Sequence, residues 1–409
     1  MTVEPPGPAA GEARHALVLS GGGAEGAYEV GVVRALFEGA SPATRKLPLL
    51  PRIYTGTSIG AYNAAFRAQD WAAGARAAGD LDEVWRRRIA SSIQSCGNGV
   101  YRLRADPLRW VEPGCAAHPL DNLAATAGDA AYFAFYGLTR GLNLLLGKDP
   151  VDVRLSELVD LSALFSSDPM RSLLAETIDL GRLAASPHEL AIAATDWTTG
   201  RPVIFDKAQI AGPLGTDAIR ASGAIPGIFP PVPLAGKLYA DGALRMNTPL
   251  RPAIQAGADV LHVVYVDPDV ADIPFPRLPN TLDTLYRVYV ILVASHLNHD
   301  IFVAALVNED RILAERLGIG ANDGRLAGLP RLERVMQRAR SGEPYRPLEI
   351  HRYRPRLPLS DLGGLLDFNA RQVDGFIQQG YDDAVHHDCS AEQCILPPMP
   401  GGGAAGTNR

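Results

Sequence analysis

The strongest constraint on the fold is a strand, a glycine-rich turn and a helix that follow one another twice near the N-terminus. The first unit joins the apolar run at 16–19 to apolar residues at helical spacing over 28–37. The second joins a predicted strand at 52–55 to an alanine-rich helical pattern at 61–68. Short, continuously apolar strands are typical of a sheet buried on both faces, and strand–helix alternation favours parallel strands.

The same alternation continues along the chain and decides the expected fold class. Residues 190–194 and 203–205 flank a predicted hairpin turn, and 261–266 is the strongest strand pattern in the sequence. We therefore expect an α/β protein of three layers, α/β/α, with a mostly parallel central sheet and helical additions.

One domain between two tails is the expected organisation, and no internal repeat is evident. From composition and pattern we expect a disordered tail at 1–14, a domain at 15–385 and a flexible tail at 386–409. Within the domain, the pattern predicts a core at 15–265, a loop-rich candidate lid at 91–188 and a C-terminal helical part at 266–385, the last with a long helix at 281–318 and a helix, a strand and a helix at 329–385.

Composition excludes some classes of function. The chain has 409 residues, of which 47% are hydrophobic, and a net charge of −6, which argues against a nucleic-acid partner bound through overall positive charge. The N-terminus lacks the basic and apolar regions of a signal peptide. The longest apolar run, near 288–294, is too short to cross a bilayer. We expect a soluble, cytoplasmic protein, with peripheral contact at a membrane as a further option.

The cysteines do not indicate a disulfide framework, because there are only four in the chain. One group, His386-His387-Asp388-Cys389 followed by Cys394, is compatible with a metal site. No second ligand pair lies at zinc spacing, and the segment runs into a proline- and glycine-rich end. The pattern therefore favours a polar, flexible tail over a metal site.

A serine stands between two glycines in the second strand–helix turn. This motif is Gly56-Thr57-Ser58-Ile59-Gly60. A turn of this kind lifts the hydroxyl above the sheet, and glycines are needed where the backbone is strained and no side chain fits. The following helix directs its N-terminal amides at the same point. An ordinary strand–helix turn is the alternative interpretation, since the five-residue pattern also occurs by chance.

The first turn has two competing interpretations. Gly21, Gly23 and Gly26 match the dinucleotide-binding pattern G-x-G-x-x-G between a strand and a helix. That pattern requires an acidic residue at the end of the next strand to bind the ribose, and here that strand runs into Ser58 instead. Exposed backbone amides of a glycine run also suit an oxyanion hole. The sequence favours the oxyanion hole over a nucleotide, with a purely structural turn as a third option.

No histidine has a persuasive catalytic context. The late candidates are His262, His296, His299 and His351. His262 and His351 lie in predicted strands, and His296 and His299 lie in an apolar helical pattern, so each is expected to be a core or surface histidine. Asp241, followed by Gly242 and Ala243, stands just after a predicted strand at 237–240. A carboxylate at a strand end can be directed at a neighbouring strand end. A serine–aspartate dyad is chemically sufficient if the carboxylate takes the serine proton in a dry site.

Taken together, these motifs resemble the patatin-like phospholipase family, which is related in its catalytic core to cytosolic phospholipase A2. The resemblance rests on the glycine run at 21–26, the serine motif at 56–60, the aspartate motif at 241–243, and the segments 220–231 and 247–250. It covers about 15–265, and the segment 365–381 is similar to the C-terminal end of bacterial members.

The resemblance implies roles for individual residues. Ser58 would be the nucleophile and Asp241 the general base, with Gly21, Gly22 and Gly23 as the oxyanion hole and Gly56, Thr57, Ile59, Gly60, Gly242 and Ala243 as motif neighbours. It implies hydrolysis of acyl esters of phospholipids or related lipids with no metal or nucleotide cofactor. One position departs from the family, which usually has Arg or Lys where this chain has Glu25. A non-catalytic lipid-binding homologue is therefore an alternative, and a nucleotide-binding oxidoreductase is a weaker one.

The segment 132–146 is rich in aromatic residues and leucine, interrupted by Arg140. It lies outside the regular strand–helix alternation. It is interpreted either as a buried helix of the core or as a lid or docking helix at a lipid interface, with Phe133, Phe135 and Leu145 among the contacting residues.

Overall fold

The computed structural model of the protein describes residues 13–70, 78–146, 164–266, 348–356 and 364–396, together with residue 359 and a few positions between 284 and 308. The predicted helix at 281–318 and the first predicted helix of 329–385 lie largely outside the described residues.

The central feature is an eight-stranded sheet. Seven strands follow one another as hydrogen-bonded neighbours in the order β10-β9-β1-β2-β5-β8-β7, and the eighth strand, β6, pairs with β5. The strands are β1 His15–Leu19, β2 Ile53–Thr57, β3 Arg102–Leu103, β4 Phe165–Ser166, β5 Glu189–Asp196, β6 Pro202–Asp206, β7 Val232–Leu234, β8 Lys237–Asp241, β9 Val260–Val264 and β10 Glu349–Tyr353. Strands β10, β9, β1, β2 and β5 pair in parallel, whereas β6, β7 and β8 pair antiparallel. Strands β3 and β4 form a separate antiparallel pair. The predicted α/β class with a mostly parallel sheet is confirmed.

Helices connect the strands. They are α1 Gly26–Phe37, α2 Ile59–Gln69, α3 Ala78–Val84, α4 Pro113–Ala116, α5 Pro119–Leu146, α6 Asp168–Thr177, α7 Leu180–Ala185, α8 Lys207–Ala211, α9 Asp217–Ser222, α10 Ala243–Met246, α11 Leu250–Gln255 and α12 Ala370–Val385. Single turns of 3₁₀ helix occur at Gly23–Glu25, Pro42–Thr44, Pro107–Trp110 and Gly364–Leu366, and a π-helical turn at Trp85–Ile89. Among the described residues, no helix is both long and apolar enough to cross a membrane.

Successive side chains of β1 lie on opposite faces of the sheet. Leu17 and Leu19 join the larger core cluster, which is built with α1, α2 and α12, whereas Ala16 and Val18 join a smaller cluster built with α11. Because side chains alternate along a strand, the sheet is covered on both faces, as three layers require.

Helices α1 and α12 pack backbone to backbone through two glycines. A Cβ atom on Gly31 would lie 2.0 Å from the carbonyl oxygen of Ile377, and one on Gly380 would lie 2.0 Å from that of Tyr28. Only glycine permits this approach, and the close contact fixes α12 across the helix that follows the first glycine-rich turn.

Two features at the periphery differ from the sequence interpretation. Cys96 and Cys115 form a disulfide within the segment predicted to be loop-rich, which also contains the 28-residue helix α5. Residues 386–396, predicted as part of a flexible tail, instead lie against the outer strand β10, where Ile395 and Ile350 exchange two backbone hydrogen bonds. Both rest on long-range contacts that local sequence patterns do not reveal.

Candidate active site

Strands β2 and β8 pair with the same edge of β5, one after the other along its length. Strand β2 pairs with residues 189–193 of β5 in parallel, and β8 pairs with residues 194–196 in the opposite direction. Strand β6 occupies the other edge of β5 over 191–195. The carboxyl ends of β2 and β8 therefore meet, and these are the ends that lead into Ser58 and Asp241.

Ser58 forms the turn between β2 and α2 in a strained backbone conformation. Its φ and ψ angles are 54° and −123°, outside the region that non-glycine residues favour. The turn is tight, since a Cβ atom on Gly56 would lie 2.2 Å from the carbonyl oxygen of Gly60. Ser58 is also the N-cap of α2, so the positive end of the helix dipole faces this residue.

The hydroxyl of Ser58 is directed at Asp241. Ser58 Oγ donates to Asp241 Oδ2 over 2.8 Å, and Asp241 Oδ1 accepts the backbone N–H of Ala243 over 2.7 Å. Ser58 is 4% exposed and Asp241 is fully buried. Burial raises the pKa of the Asp241 carboxyl group to about 7, against the opposing effect of the hydrogen bonds from Ala243 and Ser58. A carboxylate with a pKa near neutrality in contact with a serine hydroxyl is suited to proton transfer.

The segment that follows Asp241 is bound to the ends of β1 and β2. Thr57 Oγ1 donates to the carbonyl of Met246 over 2.8 Å, and Asn247 Oδ1 accepts the N–H of Gly21 over 2.9 Å. These bonds hold the serine turn, the aspartate and the first glycine turn in one rigid unit.

Ser222 is a further polar residue of the site. Its hydroxyl donates to the carbonyl of Ala193 in β5 over 2.6 Å and accepts the backbone N–H of Ser58 over 2.8 Å. It thereby ties the serine turn to β5. The backbone carbonyl of Ser222 also accepts the N–H of Gly242 over 3.3 Å, so one residue contacts both sides of the pair.

The first glycine turn lies beside Ser58. A Cβ atom on Gly21 would lie 3.0 Å from Ser58 Cβ. Gly23 has a φ of 55°, and a Cβ atom there would lie 2.1 Å from the carbonyl oxygen of Leu365, so both conformation and space require glycine. The N–H of Gly21 is bound to Asn247, whereas the N–H groups of Gly22 and Gly23 bond to no acceptor among the described residues.

Glu25, the position that departs from the family resemblance, is buried in the 3₁₀ turn at Gly23–Glu25. Its backbone N–H donates to the carbonyl of Gly22 over 3.0 Å. A carboxylate is therefore enclosed within one turn of the backbone that faces Ser58.

The described histidines do not contact the Ser58–Asp241 pair. His262 lies within β9 with hydrogen-bond contacts to His15 and Tyr353, and His351 contacts Glu349 and Cys389. His296 and His299 lie outside the described residues. Within the described part of the chain, the carboxylate of Asp241 is the only side-chain acceptor of Ser58 Oγ.

No motif in the sequence predicts the roles of Ser222 and Asn247. Both lie in segments that carry the family resemblance, 220–231 and 247–250, and that was the available signal. Their roles depend on contacts with Ala193 and Gly21, which are remote along the chain.

The site thus combines a mostly parallel α/β sheet with a buried serine–carboxylate pair beside a glycine turn, groups that suit nucleophilic chemistry. A family model described as patatin-like phospholipase matches residues 17–254, and the chain belongs to that family.

Two solved structures are also similar to this chain. VipD from Legionella pneumophila matches at 16% identity with a TM-score of 0.33, and the match covers 92% of this chain and 66% of VipD. The type III effector protein ExoU matches at 16% identity with a TM-score of 0.29, and the match covers 92% of this chain and 52% of ExoU. The chain thus spans just under two thirds of the first protein and about half of the second.

The pKa of Asp241 generates a prediction about pH. If Asp241 is the base that takes the serine proton, only its ionised form can do so, and kcat/KM on a water-soluble ester should be constant above about pH 7 and fall roughly tenfold per pH unit below it. The measurement is a pH–rate profile over a range in which circular dichroism shows the fold unchanged. Asp241→Asn, which keeps the shape and removes the base, should abolish the profile together with the activity. An inflection near pH 4 would contradict the pKa assignment.

Proposed function

We propose that this protein is a lipid acyl hydrolase of the phospholipase A or lysophospholipase type, with Ser58 as nucleophile and Asp241 as general base. The observation that carries the proposal is the 2.8 Å hydrogen bond from Ser58 Oγ to the buried carboxylate of Asp241, next to a glycine turn. Membership of the patatin-like phospholipase family supports the same substrate class.

The reaction proceeds in two halves. Ser58 Oγ attacks the ester carbonyl carbon while Asp241 takes the hydroxyl proton, and the carbonyl oxygen becomes an oxyanion. The N–H groups of Gly22 and Gly23 stabilise this charge, because the N–H of Gly21 is engaged with Asn247. Collapse breaks the ester bond, and Asp241 returns the proton to the leaving alcohol. Water then attacks the acyl carbon while Asp241 takes a proton from the water. The bond between the acyl carbon and Ser58 Oγ breaks, Asp241 returns the proton to Ser58 Oγ, and the fatty acid leaves.

The surface that meets lipid, in this proposal, is helix α5. Its described buried residues are polar. Asp129 accepts two hydrogen bonds from Arg102, at 2.7 and 2.8 Å, and Asn122 accepts one from Arg109 at 2.8 Å. The helix is therefore held to the protein by polar contacts, the reverse of an ordinary amphipathic helix.

The exposed face of α5 is apolar. Phe135 is 70% exposed, Leu138 67%, Leu142 54% and Leu145 78%, and their spacing of three to four residues places them along one side of the helix. Exposed apolar residues in such a row favour a lipid surface when the substrate is itself aggregated lipid.

An aromatic cluster connects α5 with the glycine turn. Arg102, which binds Asp129 of α5, follows Tyr101, whose ring packs against Phe165 and Phe229 with centroids 5.6 and 6.3 Å away. Phe229 belongs to the same apolar cluster as Leu365, whose carbonyl lies against Gly23. The contacts between α5 and the glycine turn thus pass through an ion pair, a cluster of aromatic rings and a backbone carbonyl.

The nucleophile is tested by Ser58→Ala. We expect kcat on a chromogenic ester to fall by about 10³-fold or more, because the attacking oxygen is lost while the fold is kept. A fluorophosphonate probe should label the wild-type protein at Ser58. Ser172→Ala is the matched control, since it removes the hydroxyl of an exposed serine of α6 and should keep both the activity and the label at Ser58. Labelling at another residue, or full activity of Ser58→Ala, would refute the proposed nucleophile.

The lipid-facing role of α5 is tested by replacing Phe135, Leu142 and Leu145 with serine. Binding to phospholipid vesicles and hydrolysis of vesicle lipid should fall at least about tenfold, because three exposed apolar contacts are removed. Hydrolysis of a water-soluble ester should be unchanged. Leu47→Ser/Leu50→Ser provides the control, since these leucines are 65% and 62% exposed outside α5. Equal losses on both substrates with a lower melting temperature would show that the face is structural.

Replacement of Glu25 should change kcat in a direction that its charge predicts. A carboxylate near the developing oxyanion opposes its charge, so Glu25→Gln, and more strongly Glu25→Arg, should raise kcat on a neutral ester. The Gln variant controls for the size of Arg in a buried position. A large fall in kcat in a folded Gln variant would show that Glu25 contributes positively to the reaction. If wild type and both variants lack activity, the non-catalytic lipid-binding alternative is favoured.

A further inference from the structure

Four side chains with metal-binding chemistry meet at the outer edge of the sheet. His351 lies on β10, whereas His387, Cys389 and Cys394 lie on the segment that follows α12. One nitrogen or sulfur atom from each lies within 4.8 Å of all the others. The histidines are buried and the cysteines are half-buried.

Three of the six separations between these atoms are close to those around one tetrahedral ion. His351 Nδ1 and His387 Nε2 each lie 3.3 Å from Cys389 Sγ, and His387 Nε2 lies 3.4 Å from Cys394 Sγ. Around zinc, with bonds of about 2.0–2.1 Å to nitrogen and 2.3 Å to sulfur, neighbouring donor atoms stand about 3.3–3.8 Å apart. The three short separations fall at the lower end of that range, so modest outward movement would accommodate the ion.

Surrounding groups orient the donors. Glu349 Oε1 lies 2.8 Å from His351 Nε2, an arrangement in which Nε2–H donates to the carboxylate and Nδ1 is left to bind a metal. The backbone N–H of Arg352 donates to Cys394 Sγ over 3.5 Å, which stabilises negative charge on that sulfur. Cys389 and Cys394 are free cysteines rather than partners in a disulfide.

From this geometry we propose that His351, His387, Cys389 and Cys394 bind a structural zinc ion. Two thiolates and two imidazoles form a ligand set that zinc favours, and four protein ligands leave no open position for a substrate or for reactive water. The proposal is independent of the proposed hydrolase activity, since none of the four residues belongs to the Ser58–Asp241 pair.

The ion would fasten the C-terminal segment to the sheet. The segment already pairs with β10 through the two backbone hydrogen bonds between Ile350 and Ile395. The proposed ion would take one ligand, His351, from β10 and three from the segment after α12. It would therefore close a loop of chain that contains the whole of α12. Because α12 packs on α1 through Gly31 and Gly380, the ion would stabilise the layer that covers the sheet.

The first test measures metal in the full-length protein, purified under reducing conditions without chelator and equilibrated with zinc before the excess is removed. Mass spectrometry should find about one zinc per chain in the wild type and little in Cys389→Ser and Cys394→Ser. Cys96→Ser/Cys115→Ser is the matched control, because it removes the other two cysteines, and it should keep its zinc. Zinc absent from the wild type, or retained in both single variants, would overturn the proposal.

The second test needs no variant and so does not depend on how the variants fold. Cobalt(II) added to the metal-free protein should give thiolate charge-transfer bands and the visible bands of tetrahedral coordination, and zinc should displace them. Zinc should protect Cys389 and Cys394 from alkylation and raise the melting temperature by about 5 °C or more. A Cys389–Cys394 disulfide that persists under reducing conditions, or octahedral cobalt without thiolate bands, would also overturn it.

Discussion

The site depends on how one strand, β5, is shared. Its edge pairs first with β2 and then, over residues 194–196, with β8 running the other way. The carboxyl ends of both neighbours are thereby brought to one point, which makes the hydrogen bond from Ser58 to Asp241 possible. Ser222, bound to the carbonyl of Ala193 and to the N–H of Ser58, holds the serine turn at that point.

This arrangement has an energetic cost that the remaining structure offsets. A carboxylate at zero exposure is destabilised by the loss of water, which is the cause of the raised pKa of Asp241. Ser58 adds backbone strain through its positive φ. The helices beside the site are almost entirely buried, since all residues of α2 and nearly all residues of α1 are buried. Such packing keeps a strained and desolvated site in place, which is the common condition of a pre-organised reactive centre.

Local patterns in the sequence were sufficient for the α/β fold and for the family. The apolar strands and glycine turns before α1 and α2 are local signals, and the ordered motifs around Ser58 and Asp241 point to one family. Contacts between residues that are distant along the chain could not be predicted from these local patterns. The polar anchoring of α5 requires Arg102 to meet Asp129, and the C-terminal cluster requires His351 to meet residues that follow a later helix. The spacing of histidines and cysteines at 386–394 therefore did not predict the four-residue cluster, because its fourth member, His351, comes from strand β10.

The shared edge of β5 has a consequence for how this architecture can vary. The chain leaves the serine turn through α2, makes a long excursion that includes α5, and returns as β5 itself. Ser58 and Asp241 are both fixed against that returning strand and the segments bound to it, so the length of the excursion does not set their separation. Loop closure costs rise only slowly with length. Insertions and replacements in the exposed part of this excursion, such as α5, can thus remodel what the protein touches while Ser58 and Asp241 keep their relative positions, which separates the evolution of recognition from that of the site.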